Sequence, residues 1–477
     1  HTWEAELPEG AWVLIELWRE GGGEFSPQFL LPFGGERDWF LTFSENRLTR
    51  SGSPGAEGDW VGLSVRAEDD ESALRNLKSE IPAGGIAVYA GFMDAADFSA
   101  LRGANIVSLV VGKLPDFSVA KEGKVRGLRV LNDVAEYTGL DGCDALEYFE
   151  APYSGEFPIT TLSKLESLTT VVGKGDVNLS ALSNAEAPFP KLRHLSLGDV
   201  EFEEVGSLPD FLGKLPNLQS LSLPDFVEMD VTGIARCPQL TAVELGNDCL
   251  DNGAQGIAAL GSLSIALLNP HYTATEISGL SEKGAFAKVR VLGVSQPVSA
   301  DQVPQLRELR LTGDQASFPP SGLSSFPKLP ALEIEFATEA DLAALAQAGP
   351  SLAALKSLTL TAPKVTDLTP LAALPAMQSL VVSDQLVTFE EKLTRIDLGG
   401  CQALKGVELV RLQNLETVEL GAATPHAIAI RACTQLATVK IAGTNSLEEV
   451  VIDKAGKLGS ADALTGGASI KVKRVTK

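Results

Sequence analysis

Catalysis needs an acid, a base or a nucleophile held beside a partner group, and this chain supplies few. Its four histidines, His1, His194, His271 and His426, lie far apart in sequence. His194 stands in KLRHLSL, at a position that points away from a core, with no Ser or Cys motif beside it. It reads as a surface residue able to meet a partner. His426, in ATPHAIAI, reads as a turn residue. A terminal His such as His1 can chelate copper through its amine and ring, but that site wants a second His, and none follows in the Trp-rich opening of the chain. No phosphate-binding G-x-x-x-x-G-K-[ST] loop, no G-x-G-x-x-G after a strand, no G-x-S-x-G turn and no H-E-x-x-H helix occurs. The Gly-rich run EGGGE, residues 20–24, lacks a following Lys and helix, and the acidic run AEDDES, residues 67–72, has helix-start character rather than the spacing of a calcium loop. We therefore expect no catalytic residue, no metal site and no cofactor.

Four of the five cysteines share one context: GCDAL at Cys143, RCPQL at Cys237, GCQAL at Cys401 and ACTQL at Cys433. Each precedes an opening Leu by three residues, and none belongs to a C-x-x-C pair. Zinc would want paired ligands, so these read as small buried apolar residues at a turn.

That shared context points to what must position any site, a repeat. From Leu393 to Ile452 the same phrase recurs, with apolar residues at Leu393, Ile396 and Leu398, at Leu415, Val418 and Leu420, and at Leu436, Val439 and Ile441. The pattern L-x-x-L-x-L makes a short strand whose apolar residues point inward, while the intervening residues face out. A period of 21 or 22 residues in this pattern resembles the leucine-rich repeat family. Further back, openings stand at Val125, Leu146, Leu168, Leu192, Leu218, Leu240, Leu263, Val289, Leu306, Leu329, Leu355 and Met377. Long gaps, such as the one carrying DFLGKLPNL, have room for a helix. The gaps from Val289 to Leu306 and from Met377 to Leu393 do not, and need a tight loop or a second extended segment. In the last coils LKGVEL and LEEVVI copy the strand pattern at half the period, which predicts strands on both walls.

VTDLTPLAALPAMQSLVV, residues 365–382, is similar to repeats of internalin-type bacterial surface proteins, with an Asp before a one-turn helix. Asp97, Asp176 and Asp230 stand in like places, where a carboxylate can cap free amides. This resemblance implies a bacterial origin and a cell-surface setting. Where ordinary repeats put Asn or Cys after the strand, only Cys401 fits here, so the bends must satisfy their backbone by other means.

The N-terminal stretch differs in texture. All five Trp (Trp3, Trp12, Trp18, Trp39 and Trp60) fall in it, among short apolar runs AWVLIELW, QFLLPF, DWFLTF and DWVGLSV. Residues 1–68 read as a β-rich cap or domain, and 69–477 as the solenoid, with 393–452 in half-repeats. DDESALRNLKSEI predicts a helix, IAVYAG a strand, DFSAL a helix from Asp97, and Ile106–Val111 a strand.

Net charge is −23 over 477 residues. That argues against nucleic acid, whose phosphates call for Lys and Arg, and against an anionic membrane surface. No run of about 18 apolar residues is present to insert in a membrane. The chain opens on HTWEAE without an initiator Met or an apolar leader, so a trimmed start is expected and the compartment is open: extracellular or cell surface if a signal was removed, cytoplasmic otherwise.

The expected fold is an α/β leucine-rich-repeat solenoid: a curved parallel sheet, short helices and loops on its convex side, and a small β-rich N-terminal cap. Its expected work is non-enzymatic recognition or scaffolding of a protein or peptide on the concave face. The residues assigned to that face are Arg193, His194, Glu244, Arg307, Glu308, Arg310, Glu333, Lys356, Arg395, Asp397 and Glu419, with RELRL, residues 307–311, the leading candidate. The alternative is a structural surface or filament subunit, a homo-oligomer assembled through the Trp-rich module. An enzyme with its site in the first 70 residues ranks third.

Overall fold

The computed structural model describes residues 12–16, 28–32, 40–44, 47–51, 61–64, 85–90, 103–112, 114, 116–132, 137–151, 157–174, 188–198, 208–223, 232–246, 256–257, 259–268, 272–313, 320–384, 392–420, 426–440, 449–453, 464–465 and 471–474. They fall into two compact units that divide between Leu240 and Thr241. The expected helices over 69–81 and from Asp97, the caps at Asp176 and Asp230, and His1, His271 and Cys249 lie outside the described residues.

In the first unit an antiparallel hairpin joins β1 (Trp12–Glu16) to β2 (Gln28–Pro32). A second sheet begins with β3 (Phe40–Ser44), β4 (Arg47–Ser51) and β5 (Val61–Ser64), paired antiparallel. From β5 onward each step is parallel: β6 (Ile86–Ala90), β7 (Ile106–Val111), β8 (Gly127–Val130), β9 (Tyr148–Glu150), β10 (Thr170–Lys174), β11 (His194–Gly198) and β12 (Ser220–Leu223). The runs read as strands in the opening segment are strands, and RLTRS adds β4, whose alternating polar residues gave no apolar signal. The strand expected at Ile106–Val111 is found with those bounds.

The second unit repeats the parallel step through β13 (Ala242–Leu245), β14 (Ile265–Leu268), β15 (Val291–Val294), β16 (Glu308–Leu311), β17 (Ala331–Glu335), β18 (Ser357–Thr361) and β19 (Ser379–Ser383). The ladder then continues through β21 (Gly406–Val410), β23 (Ala427–Arg431), β25 (Glu449–Asp453) and β27 (Lys471–Arg474). Between them β20 (Arg395–Asp397), β22 (Thr417–Glu419), β24 (Thr438–Lys440) and β26 (Leu464–Thr465) form a separate parallel sheet. The half-period expected near the C-terminus is thus two walls of strand.

The core follows the L-x-x-L-x-L frame. Every opening residue from Val125 to Leu436 is buried, and the register stacks Val243, Ala266, Leu292, Leu309, Leu332, Leu358, Leu380, Val407 and Ile428 into one inner row. A further buried row lies three residues ahead of the openings, filled by Leu165, Phe189, Leu215, Cys237, Leu260, Phe286, Val303, Phe326, Leu352, Leu374, Cys401, Leu412 and Cys433. Its carbonyls accept the amide of the opening residue, as from Leu240 to Cys237 (3.1 Å) and from Leu436 to Cys433 (3.2 Å), which turns the chain into the strand.

Gap length decides what returns the chain. The gaps from Leu263 and from Leu329, each 26 residues, carry the longest described helices, Ala274–Glu282 and Glu339–Ala348. Each starts in a capping box, Thr273 with Glu276 and Thr338 with Asp341, which satisfies the first free amides. The gap of DFLGKLPNL has the helix Leu208–Leu212. The 17-residue gap after Val289 crosses in turns alone. In the internalin-like repeat the Asp367 carboxylate accepts the Thr369 amide at 2.9 Å and its hydroxyl at 2.6 Å, ahead of the 3-10 turn Thr369–Ala373. The bends that lack an Asn use backbone: Phe336, Ala362 and Arg411 take left-handed φ of 53°, 45° and 58° and donate their amides to Thr361 (2.8 Å), Ser383 (2.6 Å) and Arg431 (2.8 Å) in the next coil.

Candidate functional site

The register fixes where each expected site residue stands. In the first unit Arg193 immediately precedes β11, and His194 opens it facing outward, between Thr170 and Ser220. His194 is half-buried rather than freely exposed. Loss of water around it, with Arg193 beside it, holds its pKa below the ordinary histidine value, so it is neutral at pH 7.

In the second unit two outward rows run along the ladder. The first is Ala242, Ile265, Val291, Glu308, Ala331, Ser357, Ser379, Gly406 and Ala427, and the second is Glu244, Leu267, Gly293, Arg310, Glu333, Thr359, Val381, Glu408 and Ala429. Arg307 and Lys356 sit one residue ahead of β16 and β18. Arg395, Asp397 and Glu419 are placed otherwise than expected. They belong to β20 and β22 on the separate sheet, and the strand that follows β19 on the ladder brings Glu408, not Asp397, beside Val381. The full coil here runs the 27 residues from Met377 to Leu404, and Leu393, 16 residues on, opens a strand at an intermediate crossing. The chain therefore crosses to the other wall first.

Within the expected leading patch, RELRL, Arg310 is electrostatically closed, while Arg307 is in no ion pair among the described residues. The Arg310 guanidinium donates to Glu308 at 2.6 Å and lies 3.5 Å from Glu333. Arg431 pairs with Glu408 at 3.3 Å. On the separate sheet Arg395 donates to Glu419 at 2.6 Å and Lys440 to the same carboxylate at 2.7 Å. Lys440 and Arg395 hold Glu419 below the usual carboxylate range, and Glu419 raises Arg395. These pairs, one along β16 and the others across strands, satisfy their own charges, and at such exposure each contributes little to stability.

What the sequence reading missed is apolar. Among the described residues only Leu14 and Ile265 are exposed large apolar side chains, and Ile265 is 36 % exposed on the outward face of β14. Leu267 and Val291 lie beside it, half-buried. Gly293 makes room for Leu267, since a Cβ there would stand 3.0 Å from its Cδ2. The L-x-x-L-x-L frame carried a trace of this patch, because IALL and VLGV put apolar residues at outward positions.

In the first unit the corresponding face is covered over β6 to β8. Leu30 and Leu31 of β2 are buried against Ala87, Tyr89 and Val110, with Trp12 and Tyr148 at the border. The Trp12 ring lies 5.8 Å from that of Tyr148 and under the Arg126 guanidinium at 5.9 Å. Gly127 is required there, for a Cβ would come 2.5 Å from the indole. Beyond Trp12 the rim is polar: Tyr148 donates to Glu150 at 2.6 Å, and Arg129 pairs with Glu150 at 3.0 Å. So Trp12, one of the five Trp of the module expected to self-associate, is engaged by the chain's own sheet.

The burial expected of the four cysteines is found. Cys143, Cys237, Cys401 and Cys433 are buried and unbridged, and no cluster of metal-ligating side chains occurs among the described residues. Three thiols tie one coil to the one before: Cys143 donates to the Phe117 carbonyl at 3.6 Å, Cys237 to Leu212 at 3.3 Å and Cys433 to Leu409 at 3.8 Å. Burial pushes Cys143 up to about 12, and Cys237 and Cys401 up to about 11. A thiol with a raised pKa stays protonated, and so unreactive, until pH approaches that value. Iodoacetamide at pH 8 should leave all three unmodified in the native chain and label them fully in denaturant, as mass spectrometry would read; native labelling of Cys237 would refute its burial.

No family model matches the chain, and neither does any curated protein. Among solved structures it is similar to an internalin from Listeria monocytogenes (18 % identity, 73 % of this chain and 88 % of that one, TM-score 0.31) and to an LRR protein from Leptospira interrogans (15 %, 75 % and 94 %, 0.39). It is also similar to TLR13, solved in complex with the RNA ssRNA13 (16 %, 80 % and 62 %, 0.40). No helix among the described residues is long and apolar enough to cross a membrane. By its own repeat and its parallel ladder, with one ladder strand to each coil, the chain has the fold of a leucine-rich-repeat solenoid.

Proposed function

We propose that this protein is a non-enzymatic recognition module that binds a protein or peptide partner on the outward face of the ladder in its second unit. The observation that carries the reading is Ile265, a large apolar side chain left 36 % exposed at the start of a strand within the ladder and flanked by Leu267 and Val291. Elsewhere on this face the outward residues are small or polar apart from Val381, and Arg310 and Arg431 are closed by ion pairs, so a large exposed apolar side chain at this place offers a desolvation gain that its surroundings do not. The stretch of the first unit's face over β6 to β8, roofed by Leu30 and Leu31, is not open in the same way. In this reading residues 1–68 act as the cap and 69–477 as the recognition solenoid.

Peptides selected from a random display library on the full chain test it. They should bind the wild type and lose about tenfold or more in affinity on Ile265→Arg, because one apolar anchor replaced by a charge removes a contact near the centre of the patch. Ile265 is on the surface, so the thermal melt of the variant should match the wild type. Selected peptides that bind both chains equally would end the proposal.

A further inference from the structure

The chain carries a net charge of −23, yet one edge of the second-unit ladder is lined with cations. Arg290, Arg307, Lys356 and Lys405 each occupy the residue immediately before a ladder strand, namely β15, β16, β18 and β21. Pro330 and Gln378 hold the same place on β17 and β19. The rungs are locked by backbone bonds at this very residue: the Arg307 amide to the Arg290 carbonyl at 2.8 Å, Lys356 to Pro330 at 2.8 Å and Lys405 to Gln378 at 2.7 Å. All four side chains are exposed. Among the described residues none of the four is in an ion pair, whereas Arg310, Arg395, Arg431 and Lys440 are each closed by a carboxylate.

Unpaired like charges in a row repel one another and do nothing for the fold. Their spacing suits an anionic chain running across the strands. Neighbouring strands are about 4.8 Å apart, so Arg307 to Lys356 and Lys356 to Lys405, two rungs each, measure about 10 Å at the backbone. An extended peptide advances about 3.3 Å per residue, so from Arg307 onward every third residue meets the next cation, while Arg290, one rung or about 5 Å before Arg307, faces the first carboxylate together with it. Arg and Lys form charge-assisted bonds with carboxylates. The apolar patch adjoins the same edge, since Val291 follows Arg290 and pairs with Ile265. At physiological salt, charges beyond about 8 Å are largely screened, so a carboxylate in contact feels the row more than the chain's net charge.

We infer that the row Arg290, Arg307, Lys356 and Lys405 binds an extended acidic peptide segment with a carboxylate at every third residue and an apolar residue seated on Ile265 and Leu267. This rests on the sheet-face reading above and names the class of partner for it. The probe is a labelled peptide with a Leu followed by Glu at every third position among Ser and Gly, titrated by fluorescence anisotropy into the full chain. It should bind about tenfold tighter than a peptide of the same composition with its Glu contiguous, and tighter still than one with Lys for Glu. Arg307→Glu and Lys356→Glu should each weaken it about tenfold, while Lys283→Glu, the same charge change at a helix end, should leave it unchanged. Affinity indifferent to Glu spacing and to both reversals would overturn the inference. So would equal or tighter row-dependent binding of a heparin oligosaccharide or a single-stranded oligodeoxynucleotide, which would make the edge a general polyanion surface. Failure of the acidic peptide while library-selected peptides still lose affinity on Ile265→Arg would reject the partner class alone. Loss of that Ile265 dependence would reject the sheet-face reading itself.

Discussion

Replacing Leu358 by Ala should lower the free energy of unfolding by about 3 kcal/mol, within the range for a fully buried Leu cut back to Ala. Leu358 is 0 % exposed in the inner row, between Leu332 and Leu380 on the neighbouring strands. The neighbours are held by ladder bonds on both sides and can close little of the cavity, so most of the cost should remain. A solenoid is stabilised coil against coil, so the loss should also divide the unfolding transition, the coils on either side of the defect melting apart. Urea denaturation followed by circular dichroism would read both effects. Thr359→Ala, one residue along and facing outward, is the control and should change stability by no more than about 0.5 kcal/mol. Equal effects of the two substitutions would mean that the inner row is not the core.

Gly349→Val should be nearly as costly, about 3 kcal/mol, for a different reason. Gly349 ends the helix Glu339–Ala348 with φ −44° and ψ −48°, angles open to any residue. The obstacle is space: a Cβ would stand 2.2 Å from the carbonyl oxygen of Ala373 in the 3-10 turn of the next coil. On the other side of that turn, a Cβ on Gly400 would stand 2.3 Å from the Cβ of Ala372. The returning segments of three successive coils are thus packed with their backbones close together. The two contacts differ in a way that a rescue experiment can separate. Ala372→Gly removes the atom that opposes Gly400→Ala and should restore most of its stability. Ala373→Gly leaves the carbonyl in place and should not rescue Gly349→Val. Thermal melts of the two double variants decide the matter, and recovery of Gly349→Val by Ala373→Gly would show that the clash is not with backbone.

The repeat was legible because a strand that buries one face must alternate, and the L-x-x-L-x-L frame writes that alternation into single residues such as Leu306, Leu309 and Leu311. The structural role of Cys143, Cys237, Cys401 and Cys433 followed from the same periodicity, for a residue recurring at one place in the coil meets one environment. Helix placement was legible from gap length: 26 residues leave room for a turn of helix to pack, and 17 do not.

Two matters lay beyond any local frame. Which wall a strand joins depends on the path of the whole coil, so Arg395, Asp397 and Glu419 fit the outward pattern and yet stand on the separate sheet. Whether an outward residue is free depends on what the register sets beside it. Tertiary structure pairs Arg310 with Glu308 and Glu333 and leaves Arg307, three residues earlier, without an ion pair among the described residues. It also lays the Trp12 hairpin over one stretch of sheet and leaves Ile265 open in another. From the amino-acid order alone came the inward half of this protein, because burial imposes a period that each coil must repeat. The outward half was decided by tertiary structure, because cross-strand neighbours lie about twenty residues apart in the chain and no period relates their charges.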